Sequence, residues 1–362
     1  MSCLDRTCTS YAGRGLEIVS YRSLLMAATF LFSTLALLGQ TSPPDLADQE
    51  PSMSLAEAQN AFQHGQAQQA IAALQQLAAT HPPAPGANRE LGIAYYRTGK
   101  LEEAENSFAA AMAEDPKDAE SEQMRGLTLY RLNRRTQAVP YLEHARKWTH
   151  AANVDVNYVL GRCYIDAKRF DDARAAFSAQ YGLDAATGPA YLLLAQMLLR
   201  EELPQLAEEN AKAALRLSPN LALAHFIVGK INLARGDTSP ALQEFEEERK
   251  INPTFAPLYQ FLGDLYTRAG QFQQAQHALT EALSLDQSST GPFILMGKLF
   301  LDDRDPQTAV SYLEHAEQMD ASNFITHYLL GRAYQQVGRK EDAKREMNMV
   351  SNIHSSEDKS LQ

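Results

Sequence analysis

Residues 85–118 read PGANRELGIAYYRTGKLEEAENSFAAAMAEDPKD. Leu91, Gly92 and Tyr95 fall on one stripe at helical spacing, and Ala104, Phe108 and Ala111 fall on a second. Gly99 lies between the stripes, where a helix must end and the chain must turn, and Pro116 closes the stretch. The segment therefore predicts two helices, A and then B, folded back as a hairpin. The small residue on A and the alanine on B let the two axes approach closely.

The same pattern extends in both directions. Small residues recur at Ala58, Gly92, Gly126, Gly161, Ala195, Gly229, Gly263, Gly297 and Gly331, at intervals of 34 except for one of 35 between Gly126 and Gly161. Twelve positions after each comes an alanine: Ala70, Ala104, Ala138, Ala173, Ala207, Ala241, Ala275, Ala309 and Ala343. Gly65, Gly236, Gly270 and Gly338 share the offset of Gly99, and Pro82, Pro219 and Pro253 share that of Pro116. A chain of 362 residues would otherwise suggest two or three domains, at roughly 150 residues each. Nine units in phase argue instead for one repetitive array. Within it, Asp305-Pro306 reads as an N-cap followed by proline at the first helical position, and Thr136 as the cap of a helix whose first turn tolerates Pro140. Gln180 stands where alanine is expected and Tyr181-Gly182 follows, so helix B of the fourth unit should end early. The extra residue of the third unit falls near Trp148, the only tryptophan.

This pattern strongly resembles the tetratricopeptide repeat (TPR) family, whose 34-residue unit carries L-G-x-x-Y, then A-x-x-x-F, then A and P. Leu91-Gly92, Tyr95, Ala104, Phe108, Ala111 and Pro116 match it nearly residue for residue. The resemblance covers about residues 51–353. It implies an all-α fold, a right-handed α-solenoid of about nine helix-turn-helix repeats stabilised by contacts between neighbours. The resulting organisation is a signal peptide or N-terminal anchor at 1–40, a polar, Pro-rich linker at 41–52, a TPR solenoid at 53–353 and a polar tail at 354–362.

The N-terminal assignment rests on Leu24–Leu38, LLMAATFLFSTLALL, which is uncharged, preceded by Arg14 and Arg22 and followed by Asp45, Asp48 and Glu50. A basic segment, an apolar run and a polar exit form the pattern of a secretory signal. The run is short for a spanning helix, which needs about 20 residues. The expected location is therefore outside the cytoplasm, periplasmic or secreted, with membrane attachment only through this segment if it stays uncleaved.

Charge and motifs narrow the function. With 33 Lys+Arg against 44 Asp+Glu, the net charge of −11 argues against a nucleic-acid partner. The chain contains no G-x-S-x-G, H-E-x-x-H, C-x-x-C or G-x-x-x-x-G-K-[ST], so no enzyme activity and no cofactor are expected. Cys3, Cys8 and Cys163 are too few for a four-thiolate zinc site. Cys163, two residues past Gly161, reads as a small buried hydrophobe. His144 and His315 sit in YLEHA of two different units, and His225 and His327 share the fourth position of helix A. Equivalent positions of different units lie far apart along a solenoid, so these histidines read as structural and no metal site is expected. Acidic runs such as Asp171-Asp172 and Glu246-Glu247-Glu248 read as solvated helix faces.

What remains is a non-catalytic scaffold or adaptor for protein or peptide partners. Positions 2, 5, 9, 12 and 13 of helix A oppose helix B, and in TPR proteins this stripe lines the concave surface. Here it carries Arg89, Arg97, Arg131, Arg162, Arg200, Lys230, Arg268, Lys298 and Arg332 against Glu120, Asp155, Asp166, Asp264 and Asp302, with Phe62, Tyr96, Tyr130, Tyr158, Phe226 and Tyr328 interleaved. A basic groove in an acidic protein points to an extended acidic segment as ligand. Its expected residues are Tyr96, Arg97, Tyr130, Arg131, Tyr158, Arg162, Arg200 and Lys230. The resemblance also leaves open a periplasmic holding chaperone, or a non-catalytic subunit of an envelope enzyme or of secretion or pilus assembly machinery. In the last unit Met347, Val350 and Ile353 lie on helix B with only SSEDKSLQ after it. Eight polar residues are too few for a covering helix, so this apolar edge is expected as a contact surface, with self-association through the C-terminal repeat.

Overall fold

The computed structural model describes residues 53–147 and 156–360, with side chains as far as 353. The N-terminal segment and linker at 1–52 and Trp148 lie outside the described residues. The described chain forms eighteen helices. The first four units are α1 (Leu55–Gln63) with α2 (Ala67–Ala79), α3 (Ala87–Thr98) with α4 (Leu101–Glu114), α5 (Ala119–Arg131) with α6 (Arg135–Ala145), and α7 (Val156–Asp166) with α8 (Phe170–Gln180). Next come α9 (Gly188–Arg200) with α10 (Pro204–Leu217), α11 (Ala224–Arg235) with α12 (Thr238–Ile251), and α13 (Ala256–Arg268) with α14 (Phe272–Leu285). The array ends with α15 (Thr290–Asp302) and α16 (Pro306–Met319), then α17 (Phe324–Gln336) and α18 (Lys340–Ser360).

Each helix packs on the one before and the one after, so the array is an α-solenoid. Helices A of successive units also touch, as α1 does α3, α3 does α5, α13 does α15 and α15 does α17, whereas helices B of successive units make no comparable approach. The A helices therefore form the inner rank, and their outward stripe is the surface to search for a site. Among the described residues no helix is long and apolar enough to cross a membrane.

One contact recurs inside nearly every hairpin. A Cβ placed on Gly92 would lie 2.7 Å from the Phe108 ring, on Gly161 2.6 Å from Phe177, on Gly229 2.6 Å from Phe245 and on Gly263 2.5 Å from Leu279. The glycine of helix A is thus the socket for a large side chain sixteen residues later on helix B. In the fifth unit both members shrink, to Ala195 and Ala211, and both are fully buried. The turn between A and B also repeats. Gly65, Gly99, Gly236, Gly270 and Gly338 have positive φ, and so do Asn133, Lys168, Glu202 and Arg304 at the same offset.

Several local expectations meet corrections here. Thr136 is not a cap: α6 begins at Arg135 with Arg134 as N-cap, and Pro140 lies inside the helix. The helix starts earlier because the A–B turn at Asn133 comes at the same offset as in the other units. Asp305 does cap α16, accepting a bond from the Thr308 amide ahead of Pro306, and α8 stops at Gln180. Glu248 is no solvated acid. It occupies the position of Ala214 and Ala282, is fully buried, and accepts bonds from the amides of Leu223 (2.7 Å) and Phe226 (3.3 Å). These are orphan donors at the start of α11, so the carboxylate caps that helix from its neighbour. Finally, the backbone of 354–360 is not a separate tail but continues α18 to Ser360, since propagating an existing helix avoids the cost of nucleating a new one.

Candidate groove on the inner helices

Sites on the inner rank follow from the 34-residue period. Phe62, Tyr96 and Tyr130 occupy one position of successive units, and Arg97 and Arg131 follow two of them directly. Stacking successive units brings each arginine onto the ring of the unit before. The Arg97 guanidinium lies 5.9 Å from the centroid of Phe62. That of Arg131 lies 4.5 Å from Tyr96, and its Nη1 donates to the Tyr96 carbonyl at 3.1 Å. Both arginines are exposed, and neither has an ion-pair partner among the described residues. Cation–ring contact of this kind is worth about 0.5–1 kcal/mol at exposed sites, enough to bias a long side chain toward one orientation.

The third step of the ladder is different. The position after Arg131 in the series is Asp166, a reversal of charge. Tyr130 carries Arg162 at 5.7 Å and Arg135 at 5.5 Å from its centroid, and Arg162 Nη1 donates to its hydroxyl at 2.6 Å. Glu201 then pairs with Arg162 at 2.5 Å and with Arg135 at 3.0 Å, while Asp166 pairs with Arg135 at 3.3 Å. Burial raises the Tyr130 hydroxyl above its ordinary pKa even against the two neighbouring guanidinium groups. This stretch of the stripe is a closed, neutralised network rather than a free basic surface.

The remaining expected residues scatter. The Tyr158 ring packs 6.0 Å from Phe177 and is half-buried. Arg200 is exposed further along, and Lys230 sits 5.8 Å over Phe226 of its own helix. Arg268 and Lys298 share Asp264, at 2.6 and 2.7 Å. Arg89 pairs with Asp118 at 3.5 Å and Glu120 at 3.6 Å. Structure therefore unites Tyr96, Arg97 and Arg131 with Phe62, and sets Tyr130 and Arg162 apart with two residues that the helix A register omitted. Arg135 opens helix B and Glu201 lies in an A–B turn, so neither belongs to the positions read along helix A. The reversal at Asp166 was the available signal.

Elsewhere, burial pushes the Cys163 thiol up to about 12, which leaves it uncharged and inert. Met347 is the socket-filling side chain of the ninth unit, its Cε 2.8 Å from a Cβ built on Gly331. Met347, Val350 and Ile353 are half-buried and Met349 is 39% exposed. Three of the four histidines singled out meet a carboxylate, His144 with Glu122, His225 with Glu244 at 2.7 Å and His327 with Glu346 at 2.8 Å, while His315 packs 4.4 Å from the Phe293 ring. Burial acts to lower the His327 pKa, but its bonds to the Ala321 carbonyl and to Glu346 outweigh burial and raise it.

Family models described as tetratricopeptide repeat match residues 61–126, 129–198 and 300–358, and a further one matches 256–289. The chain is similar to anaphase-promoting complex subunit 3 of Schizosaccharomyces pombe, 21% identical over 285 residues, covering 79% of this chain and 43% of that protein. It is also similar to cellulose synthase 1 operon protein C of Komagataeibacter xylinus, 24% identical over 192 residues, covering 49% of this chain and 14% of that one. It thus spans less than half the length of these relatives. Among solved structures, MamA 41-end from Desulfovibrio magneticus RS-1 aligns at 19% identity with a TM-score of 0.44, over 47% of this chain and 97% of that one.

Proposed function

The chain belongs to the tetratricopeptide repeat family, in general non-catalytic scaffolds for protein–protein interaction, and we propose that it captures an extended acidic segment of a partner along Phe62, Tyr96, Arg97 and Arg131. One observation carries this reading. Two exposed arginines are laid on aromatic rings with no ion-pair partner among the described residues, while Arg162, next along the stripe, and Arg135 beside it are neutralised by Asp166 and Glu201. A guanidinium held in place offers a planar fork of donors to a carboxylate and loses less side-chain entropy on binding than a free one. The half-buried rings of Phe62 and Tyr96 add apolar contact for the ligand's intervening side chains. The acidic remainder of the surface discourages a like-charged ligand from docking elsewhere.

The test is fluorescence anisotropy with a labelled, extended Asp/Glu-rich peptide, a neutral peptide of the same length serving as control. The acidic peptide should bind and the neutral one should not. Replacing both groove arginines, Arg97→Glu with Arg131→Glu, should weaken capture at least about tenfold and flatten its salt dependence. Arg169→Glu, at the N-cap of α8 and away from the groove, should leave capture unchanged. Equal binding of both peptides, or full capture by the double variant, would overturn the reading.

A further inference from the structure

We propose that Glu317, His327 and Glu346 bind a divalent first-row transition-metal ion, and that the ion ties α16, α17 and α18 together. His327 lies on the first turn of α17, with its side chain 2% exposed, and its Nε2 meets the Ala321 carbonyl at 2.9 Å. A carbonyl can only accept, so Nε2 carries a hydrogen, and in the neutral ring Nδ1 is left as a lone pair. That lone pair faces Glu346 Oε2 at 2.8 Å and Glu317 Oε1 at 3.8 Å. One ligand atom from each residue lies within 4.8 Å of the other two.

Three acceptors that face one point are an arrangement that a cation would satisfy. A proton on Nδ1 answers only part of the demand: it bonds Glu346 but leaves Glu317 beyond hydrogen-bond distance. A metal ion answers all of it. Ligands about 2.1 Å from a tetrahedral ion stand about 3.4 Å from one another, between the two separations measured from Nδ1, so small side-chain rotations seat the ion. One imidazole and two carboxylates suit Zn²⁺, Co²⁺ or Mn²⁺. The bond from Nε2 to a backbone carbonyl is the outer contact that metal-bound imidazoles make. Arg345 Nε, 3.2 Å from the other oxygen of Glu346, orients that carboxylate from outside. Glu317 is one-third exposed, so the ion's fourth position opens toward water.

The array contains its own control. His225 and Glu244 repeat the His327–Glu346 pair three units earlier, at 2.7 Å, but on the preceding helix B Leu215 of α10 stands where α16 has Glu317. That pair lacks the third ligand and should hold no ion.

The experiment uses the full chain, stripped with a chelator and titrated with Co²⁺, then with Zn²⁺ as competitor. One Co²⁺ per chain should bind with a visible ligand-field band, Zn²⁺ should displace it, and thermal unfolding should shift upward. Glu317→Gln keeps the size of a partly exposed side chain and should keep the helical circular dichroism. It should also weaken Co²⁺ at least about tenfold and abolish the thermal shift. His225→Ala should change neither. Equal affinity in the wild type and in Glu317→Gln would overturn the proposal. So would a thermal stability that responds to pH but not to metal, because then a proton closes the cluster.

Discussion

At Gly161 a single methyl group is the difference between a fit and a collision. Its Cβ would lie 2.6 Å from Cε1 of the Phe177 ring, and that ring is itself buried. Overpacking of this kind typically costs about 1–3 kcal/mol, against the roughly 1 kcal/mol that alanine gains over glycine inside a helix. The chain displays the compensated alternatives: buried Ala58 opposite buried Leu74, and Ala195 opposite Ala211. Gly161→Ala should therefore lower the urea midpoint, and adding Phe177→Leu should restore part of the loss, giving a double variant more stable than the sum of the two singles. Strict additivity in that cycle would show that the two residues do not share one space. At this scale the sequence was partly legible. The glycine period was visible, and with it the close approach of helix A to the alanine of helix B; the large side chain that fills the socket was not, because it sits sixteen residues away on another helix. Glu248 was missed for a related cause. Its neighbours Glu246 and Glu247 are acids, and nothing in EEER says that one of three turns inward to cap α11.

At the scale of elements, the hairpin turn shows where local chemistry and register part company. Five of nine turns announce themselves by glycine, and the other four adopt the same left-handed conformation with Asn133, Lys168, Glu202 and Arg304. Only the phase of the repeat identifies these four as turns. Asparagine tolerates that region, but for arginine the conformation costs roughly 1 kcal/mol or more. Arg304 has φ 66° and an exposed side chain. Arg304→Gly should relieve the strain, offset in part by the added freedom of glycine in the unfolded chain, and raise stability by about 0.5 kcal/mol. The same change at Thr280, exposed and inside α14, should destabilise by about 0.5 kcal/mol. If Arg304→Gly proves destabilising, the conformation at that turn is not strained. Joints between units are also repetitive: Tyr95, Tyr164 and Tyr334 each reach back to the preceding helix B, to Gln75 at 2.7 Å, Glu143 at 2.8 Å and Glu314 at 2.8 Å. Burial raises the Tyr164 hydroxyl to about 12, with the bond to Glu143 adding to it, so this joint keeps its proton throughout the neutral range.

Across the solenoid the apolar core is segmented. One buried cluster runs from Ala58 to Phe108, and the next from Leu127 to Ile231. Among the described residues only the half-buried side chains of Tyr96 and Met124 pack against both. Ion pairs span this seam: Glu105 with Arg125 at 2.7 Å, Glu102 with Arg134 at 2.8 Å, and Asp118 with Arg89 at 3.5 Å. Stability in such an array is close to a sum of unit and neighbour terms, so a joint poor in apolar contact is where it parts first. The proposed groove crosses the same seam, since Arg97 belongs to one side, Arg131 to the other, and Tyr96 lies between them. Its basic character was legible as a stripe of cations; which cations stay unpaired was not, because Arg135 and Glu201 come from outside the register. Exposed and half-exposed ion pairs contribute modestly and weaken as salt screens them. Raising NaCl from 0.05 to about 0.5 M should therefore speed amide hydrogen exchange in α3 and α4 while leaving α7 to α10, deep in the second cluster, unchanged. Glu105→Gln with Glu102→Gln should produce the faster exchange at low salt and remove most of the further response. Exchange that accelerates equally in α3 and in α9 would mean the array opens as one unit, with no seam at Tyr96 for a ligand to bridge.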